Sequence, residues 1–90
     1  MEMRQMQLRV FLADDHAVVR AGVKALIERQ PEMLVVGEAA DGRDAVEQAL
    51  ANRADLVVMD LGLPGLTGIQ ATRELRRRDP QIRIVALSIH

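Results

Sequence analysis

The chain has no cysteine, which rules out disulfides and thiolate metal sites. It has one aromatic residue, Phe11, so it cannot build an aromatic stacking platform for single-stranded nucleic acid. Charge of one sign is also lacking. The formal net charge is −1, and no basic field draws the chain to DNA or to an anionic membrane surface. No apolar run approaches the ~20 residues that span a bilayer. Met1–Gln7 is polar and has no apolar signal-peptide segment. The expectation from these absences is a soluble cytoplasmic protein without membrane contact. With 90 residues the chain makes one small domain. At that size roughly 60–70% of the unfolded surface can be buried.

What is present is aliphatic and patterned. After the polar lead of residues 1–7, Leu8–Ala13 reads as a buried strand. Val19, Val23, Leu26 and Ile27 recur at helical spacing, with Arg20, Lys24 and Glu28 on another face, and Pro31 ends that helix. Leu34–Val36 reads as a second strand, and the Gly37–Glu38 that follows suits a sheet edge. Asp41 can cap a second helix whose stripe is Ala45, Val46, Ala49 and Leu50. Asp55–Asp60 is apolar on both faces, as in a central parallel strand. Gly62, Pro64, Gly65 and Gly68 mark a long turn, and Thr67 with Gln70 forms a capping box for a third helix carrying Thr72 and Leu75. Asp79–Pro80 stops it, and Ile82–Leu87 is a fourth strand. Alternating strands and helices with right-handed crossovers give a doubly wound parallel sheet, of expected order 2-1-3-4.

In such a sheet, ligands bind beyond the carboxyl ends of the strands, where the strand order reverses. Asp14 and Asp15 follow the first strand and Asp60 ends the third, so the three carboxylates are expected to converge. They repel one another unless a cation or proton offsets them. Magnesium takes about six oxygens and keeps several waters. Two carboxylates, a backbone carbonyl in the Gly62 turn and waters would suit it. An aspartate can also attack phosphorus to give an acyl phosphate. Ser88, at the end of the fourth strand, could reach the same edge and donate to a phosphoryl oxygen.

The runs Phe11–His16, Val58–Gly68 and Ala86–Ser88 together resemble a response-regulator receiver domain, the CheY-like, flavodoxin-fold family of two-component signalling. Asp15–Arg20 and Val36–Gly42 resemble its NarL/FixJ (LuxR-type) branch. The similarity runs roughly from Leu8 to His90. It implies that Asp60 is the phosphoacceptor, fed by a sensor histidine kinase. It implies that Asp14 and Asp15 hold Mg2+ together with Asp60 and the Gly62 backbone carbonyl, and that Ser88 is the switch hydroxyl. It also implies an attached C-terminal helix-turn-helix for DNA and transcription control, absent from this chain. Family receivers are not usually classed as enzymes.

Two departures accompany the resemblance. The family uses a lysine at the end of a fifth strand, whereas the one lysine here is Lys24, on the first helix. Residues 8–90 therefore read as an incomplete receiver domain, without the fifth strand and the last two helices. Ile89 is bulkier than the small residue many members carry after the hydroxyl. An uncovered fourth strand leads to the expectation of a homodimer or swapped oligomer.

Plainer roles compete with these. Asp15 could be a simple helix N-cap, Asp60 could serve ordinary turn chemistry, and Ser88 alone is unremarkable. His16 is placed in the first helical turn without a catalytic role. His90, two past the hydroxyl, occupies a position that can influence phosphoryl lifetime in the family. Arg76–Arg78 complement a helix dipole on a solvated face rather than contact nucleic acid. Two rival functions remain. One is an interaction module without phosphotransfer. The other is an aspartyl-phosphate phosphohydrolase, which generally has a second acid two residues after the nucleophile, where Gly62 stands here.

Overall fold

The computed structural model describes residues 7–87. β1 (Leu8–Ala13) is the middle of the β2-β1-β3 run, and Val10, Phe11, Leu12 and Ala13 are all buried. A strand covered on both faces needs such an unbroken apolar run. β2 (Met33–Ala39), β3 (Leu56–Asp60) and β4 (Arg83–Leu87) complete a four-stranded parallel sheet of order β2-β1-β3-β4. This is the doubly wound order expected from the sequence, with β3 central as its apolar faces require.

Three helices connect the strands: α1 (Ala17–Glu28), α2 (Gly42–Ala51) and α3 (Gly68–Arg78). α2 begins where Asp41 accepts from the Asp44 backbone N–H at 2.8 Å. α3 begins with the full capping box: Thr67 Oγ1 accepts from Gln70 N at 3.2 Å, and Gln70 Oε1 accepts from Thr67 N at 3.0 Å. α2 and α3 pack together against one face of the sheet, and α1 packs against β1 and β2 on the other.

The main core lies on the α2–α3 face. Phe11, Ala13, Val57 and Met59 from the sheet meet Ala45, Val46 and Ala49 of α2, Ala71 and Leu75 of α3, and Ile82. The apolar stripe of α1 behaves differently from its pattern. No residue of this helix is buried, and Leu26 is 62% exposed. The cause is its neighbourhood: among the described residues α1 has the sheet on one side and no helix beside it.

The second strand is longer than the apolar triplet Leu34–Val36, running through Gly37 and Glu38 to Ala39. Pairing with β1 carries these polar positions into the sheet. Register slips once, from Val10↔Val35 to Phe11↔Gly37, leaving Val36 as an extra residue. Gly37 is fitted to this point, since a Cβ there would stand 2.8 Å from the Phe11 ring. The third and fourth strands each start one residue later than their apolar patterns, at Leu56 and Arg83. Asp55 is instead an acceptor, taking the Arg9 backbone N–H at 2.8 Å.

The arginine run at the end of α3 is held by protein groups. Arg76 donates to the Ile82 carbonyl at 3.2 Å, Arg77 pairs with Glu74, and Arg78 pairs with Glu47 at 3.3 Å. Among the described residues no helix is long and apolar enough to cross a membrane.

Candidate functional site

β1 and β3 are adjacent and parallel, with Ala13 opposite Met59. The residues that follow, Asp14 and Asp60, therefore reach the same edge of the sheet. Both are buried, at 5% and 8% exposure. Asp15 is exposed beside them. One ligand atom from each of Asp14, Asp15, Asp60 and His16 falls within 4.8 Å of the others. Asp14, His16, Asp60 and Leu87 line a small cleft there.

The backbone around the carboxylates is tied at several points. Asp14 Oδ1 accepts from the His16 backbone N–H at 2.7 Å, an Asx-type turn that starts α1. Asp14 N donates to the Ala39 carbonyl at 3.0 Å. Asp60 Oδ1 accepts from Gly62 N at 2.9 Å, which folds the following turn back on the carboxylate. α3 then packs directly against the end of β3. A Cβ on Gly68 would sit 2.2 Å from the Asp60 carbonyl oxygen, so only glycine permits this approach.

His16 is the N-cap of α1, although its side chain makes no capping bond. Its ring lies over the carboxylates. Nδ1 is 3.1 Å from Asp14 Oδ1, 3.2 Å from Asp15 Oδ1 and 3.8 Å from Asp60 Oδ2. The Asp14 hydrogen bond, then the Asp15 charge, raises the His16 pKa above its ordinary value. Protonated, the ring is a partial counter-charge to the cluster.

The donor set suits a hard divalent cation. Three carboxylates offer hard oxygens at close range, two of them buried where an unpaired negative charge is costly. The single imidazole supplies at most one positive charge against three. Among the described residues the lysine expected to be remote is so: Lys24 Nζ pairs with Glu38 at 3.1 Å, on the α1 side.

Asp14, Asp15 and Asp60 thus meet as their sequence positions required. The Gly62 backbone lies beside Asp60 through its N–H. Asp15 does not cap the helix; that position belongs to His16, and Asp14 provides the bond a cap would give. Ser88, Ile89 and His90 lie outside the described residues. β4 is described to Leu87, which stands opposite Asp60 in register. Two neighbours of the acids are not evident from the sequence pattern: His16, whose ring lies over them, and Arg20, whose Nη1 donates to the Asp14 carbonyl at 2.5 Å. The Asp-x-His spacing is itself a turn signal and could have revealed the first.

Residues 10–90 match the response regulator receiver domain family. The chain belongs to that family. This receiver domain is 42% identical over 83 residues to response regulator UvrY of Escherichia coli O6:H1 (strain CFT073), covering 92% of this chain and 38% of that protein. Transcriptional regulatory protein LiaR of Bacillus subtilis (strain 168) is 42% identical over 80 residues, covering 87% of this chain and 38% of LiaR. In structure it is similar to a LuxR-family two-component response regulator from Aurantimonas sp. SI85-9A1, with a TM-score of 0.87 and 46% identity. That match covers 93% of this chain and 60% of the other. The receiver domain thus falls among LuxR-type relatives, as its motifs suggested, and spans about 38% of the length of the curated relatives it matches.

Proposed function

We propose that this receiver domain accepts a phosphoryl group on Asp60 from a sensor histidine kinase, in a Mg2+-dependent step. The observation that carries the reading is the convergence of Asp14, Asp15 and Asp60 within 4.8 Å at the carboxyl edge of two adjacent parallel strands. Asp14, Asp15, Asp60 and the Gly62 carbonyl would hold the ion, which offsets the charge of the carboxylates and of the incoming phosphoryl oxygens. An Asp60 carboxylate oxygen attacks phosphorus. The bond from phosphorus to the donor imidazole breaks, and its electron pair leaves with the imidazole, which takes up a proton. The Gly62 N–H fixes the Asp60 carboxylate at 2.9 Å and limits its rotation. Ser88 is assigned the switch hydroxyl that donates to the phosphoryl oxygens.

The domain acts as a regulator rather than as a turnover enzyme. Its output is transcription, through a DNA-binding helix-turn-helix domain that lies outside this chain. A homodimer belongs to the same reading. β4 has a strand on one side only among the described residues, and Val85 is half exposed on it. Sedimentation over a concentration series reads this, and a monomer throughout removes it.

Acetyl phosphate tests the chemistry. With Mg2+ it should add one phosphoryl group to Asp60, read by intact mass and peptide mapping. Asp60→Asn and chelation of the metal should each abolish the adduct. No labelling of either this chain or its longer parent would sink phosphotransfer and leave an interaction module. Sustained release of phosphate from simple esters would favour a phosphohydrolase.

A further inference from the structure

Arg20 lies outside the acidic cluster yet touches its backbone. Its Nη1 donates to the Asp14 carbonyl at 2.5 Å, and its Nε donates to Glu38 Oε1 at 3.0 Å. Lys24, one helical turn further along α1, donates to the other Glu38 oxygen at 3.1 Å. The guanidinium thus bridges three elements: α1, the loop that carries Asp14 and Asp15, and β2.

The bridge depends on the register slip in β2. Beyond it, Glu38 stands opposite Leu12 and Gly37 opposite Phe11. Phe11 and Ala13 belong to the core facing α2 and α3, so Leu12 faces α1. Without the extra residue, Glu38 would stand opposite Ala13 and point into that apolar core. The bulge turns its carboxylate toward α1, where Arg20 and Lys24 meet it.

We propose that Arg20 is a positioning residue of the acidic site, holding the Asp14–Asp15 backbone in register with Asp60 through the Asp14 carbonyl. The assignment rests on the cation-site reading above. Groups that orient a metal site without binding the ion commonly change affinity by about 10–100-fold when removed. Glu38 has a second effect, because it offsets the charges of Arg20 and Lys24 and keeps them from competing with a bound cation.

The sign of the effect separates positioning from charge. Removing a cation near three carboxylates should tighten divalent binding if only Coulomb forces act. A lost clamp should weaken it. Mg2+ titration of this chain by calorimetry, well below the unfolding temperature, compares the wild type with Arg20→Met and Arg20→Lys. The expected result is affinity at least about tenfold weaker for Arg20→Met, with partial recovery in Arg20→Lys. Unchanged or tighter binding in Arg20→Met, even with lower thermal stability, would overturn the assignment and leave Arg20 a packing residue. Amide exchange measured without metal gives an independent answer. In Arg20→Met the Asp14 and His16 amides should exchange faster while those of α2 are unchanged. Equal exchange rates at Asp14 and His16 would overturn the proposal. A wild-type chain that binds no Mg2+ would defeat the cation-site reading alone, and the exchange comparison would then decide the clamp.

Discussion

The two faces of the sheet are built on different principles. Against α2 and α3, Phe11, Val57, Met59, Ala45, Ala49, Ala71 and Leu75 are fully buried and interlock. Against α1, Val10 and Leu12 of β1 are buried, but the helix itself only half-buries Val19, Val23 and Ile27, leaves Leu26 exposed, and adds a polar clamp made of Arg20, Lys24 and Glu38. The acidic site sits where both faces meet the carboxyl edge of β1 and β3. One face secures Asp60, through α3 and Gly68; the other secures Asp14, through Arg20. The two halves of the site are therefore held by interactions of different chemistry, close backbone packing for Asp60 and a charged hydrogen bond for Asp14.

The largest expected effect comes from opening the packed face. Phe11 is the bulkiest of the fully buried side chains and has no exposure. Phe11→Ala should cost about 3–5 kcal/mol, since buried contacts are lost and a cavity is left behind. A domain of this size has little stability in reserve, so that loss takes much or all of it. Urea unfolding followed by far-ultraviolet circular dichroism reads the change. A loss under about 1 kcal/mol would mean that the two faces are not as unequal as their packing shows.

The difference between the faces was only half legible in the sequence. Strand order, the meeting of Asp14, Asp15 and Asp60, and both helix caps at Asp41 and Thr67 follow from local pattern and right-handed crossovers. Those signals act over a few residues or through chain topology. The spacing of Val19, Val23, Leu26 and Ile27 marks the apolar side of α1 but not how deeply it is covered, because periodicity reports which side of a helix is apolar and not what packs on it. The extent of β2 was hidden because Gly37 and Glu38 have poor strand preference, and pairing with β1 overrides it. Arg20 was invisible as a site residue because its partner, Glu38, reaches it only through the register slip between β1 and β2, which no local pattern announces.

A smaller effect is expected from acid on the clamp. The Lys24 hydrogen bond, opposed by partial burial and aided by Arg20, holds the Glu38 pKa below its ordinary value of 4.5. A carboxylate depressed in the folded state adds stability above its unfolded pKa and loses it as pH falls through the folded value. The clamp's share should therefore be present near neutrality and fade below about pH 4.5. Glu38 is partly open to solvent, so the share is at most about 1 kcal/mol. The measurement is the difference in unfolding free energy between wild type and Glu38→Gln across this range. That difference should shrink on acidification; a difference that grows would reverse the sign of the linkage.

The smallest effect is predicted for the apolar stripe of α1, where the inequality of the faces is most directly exposed to test. Leu26 is the exposed member of the stripe, at 62%, while Val19, Val23 and Ile27 are half-buried. Surface positions away from caps and networks usually move stability by no more than about 0.5 kcal/mol. Leu26→Ser should fall near that limit, because serine also loses a little helix propensity. If this change instead costs as much as a core truncation, α1 must be covered in solution, by a second copy or by chain beyond the described residues. The two are told apart by concentration. A cost that grows with protein concentration points to a second copy, because association adds stability by mass action. A large cost independent of concentration points to intramolecular cover. A small cost at all concentrations means that the helix is held to the sheet chiefly by its half-buried residues and by the Arg20–Glu38–Lys24 clamp, with the outer part of its stripe left to solvent.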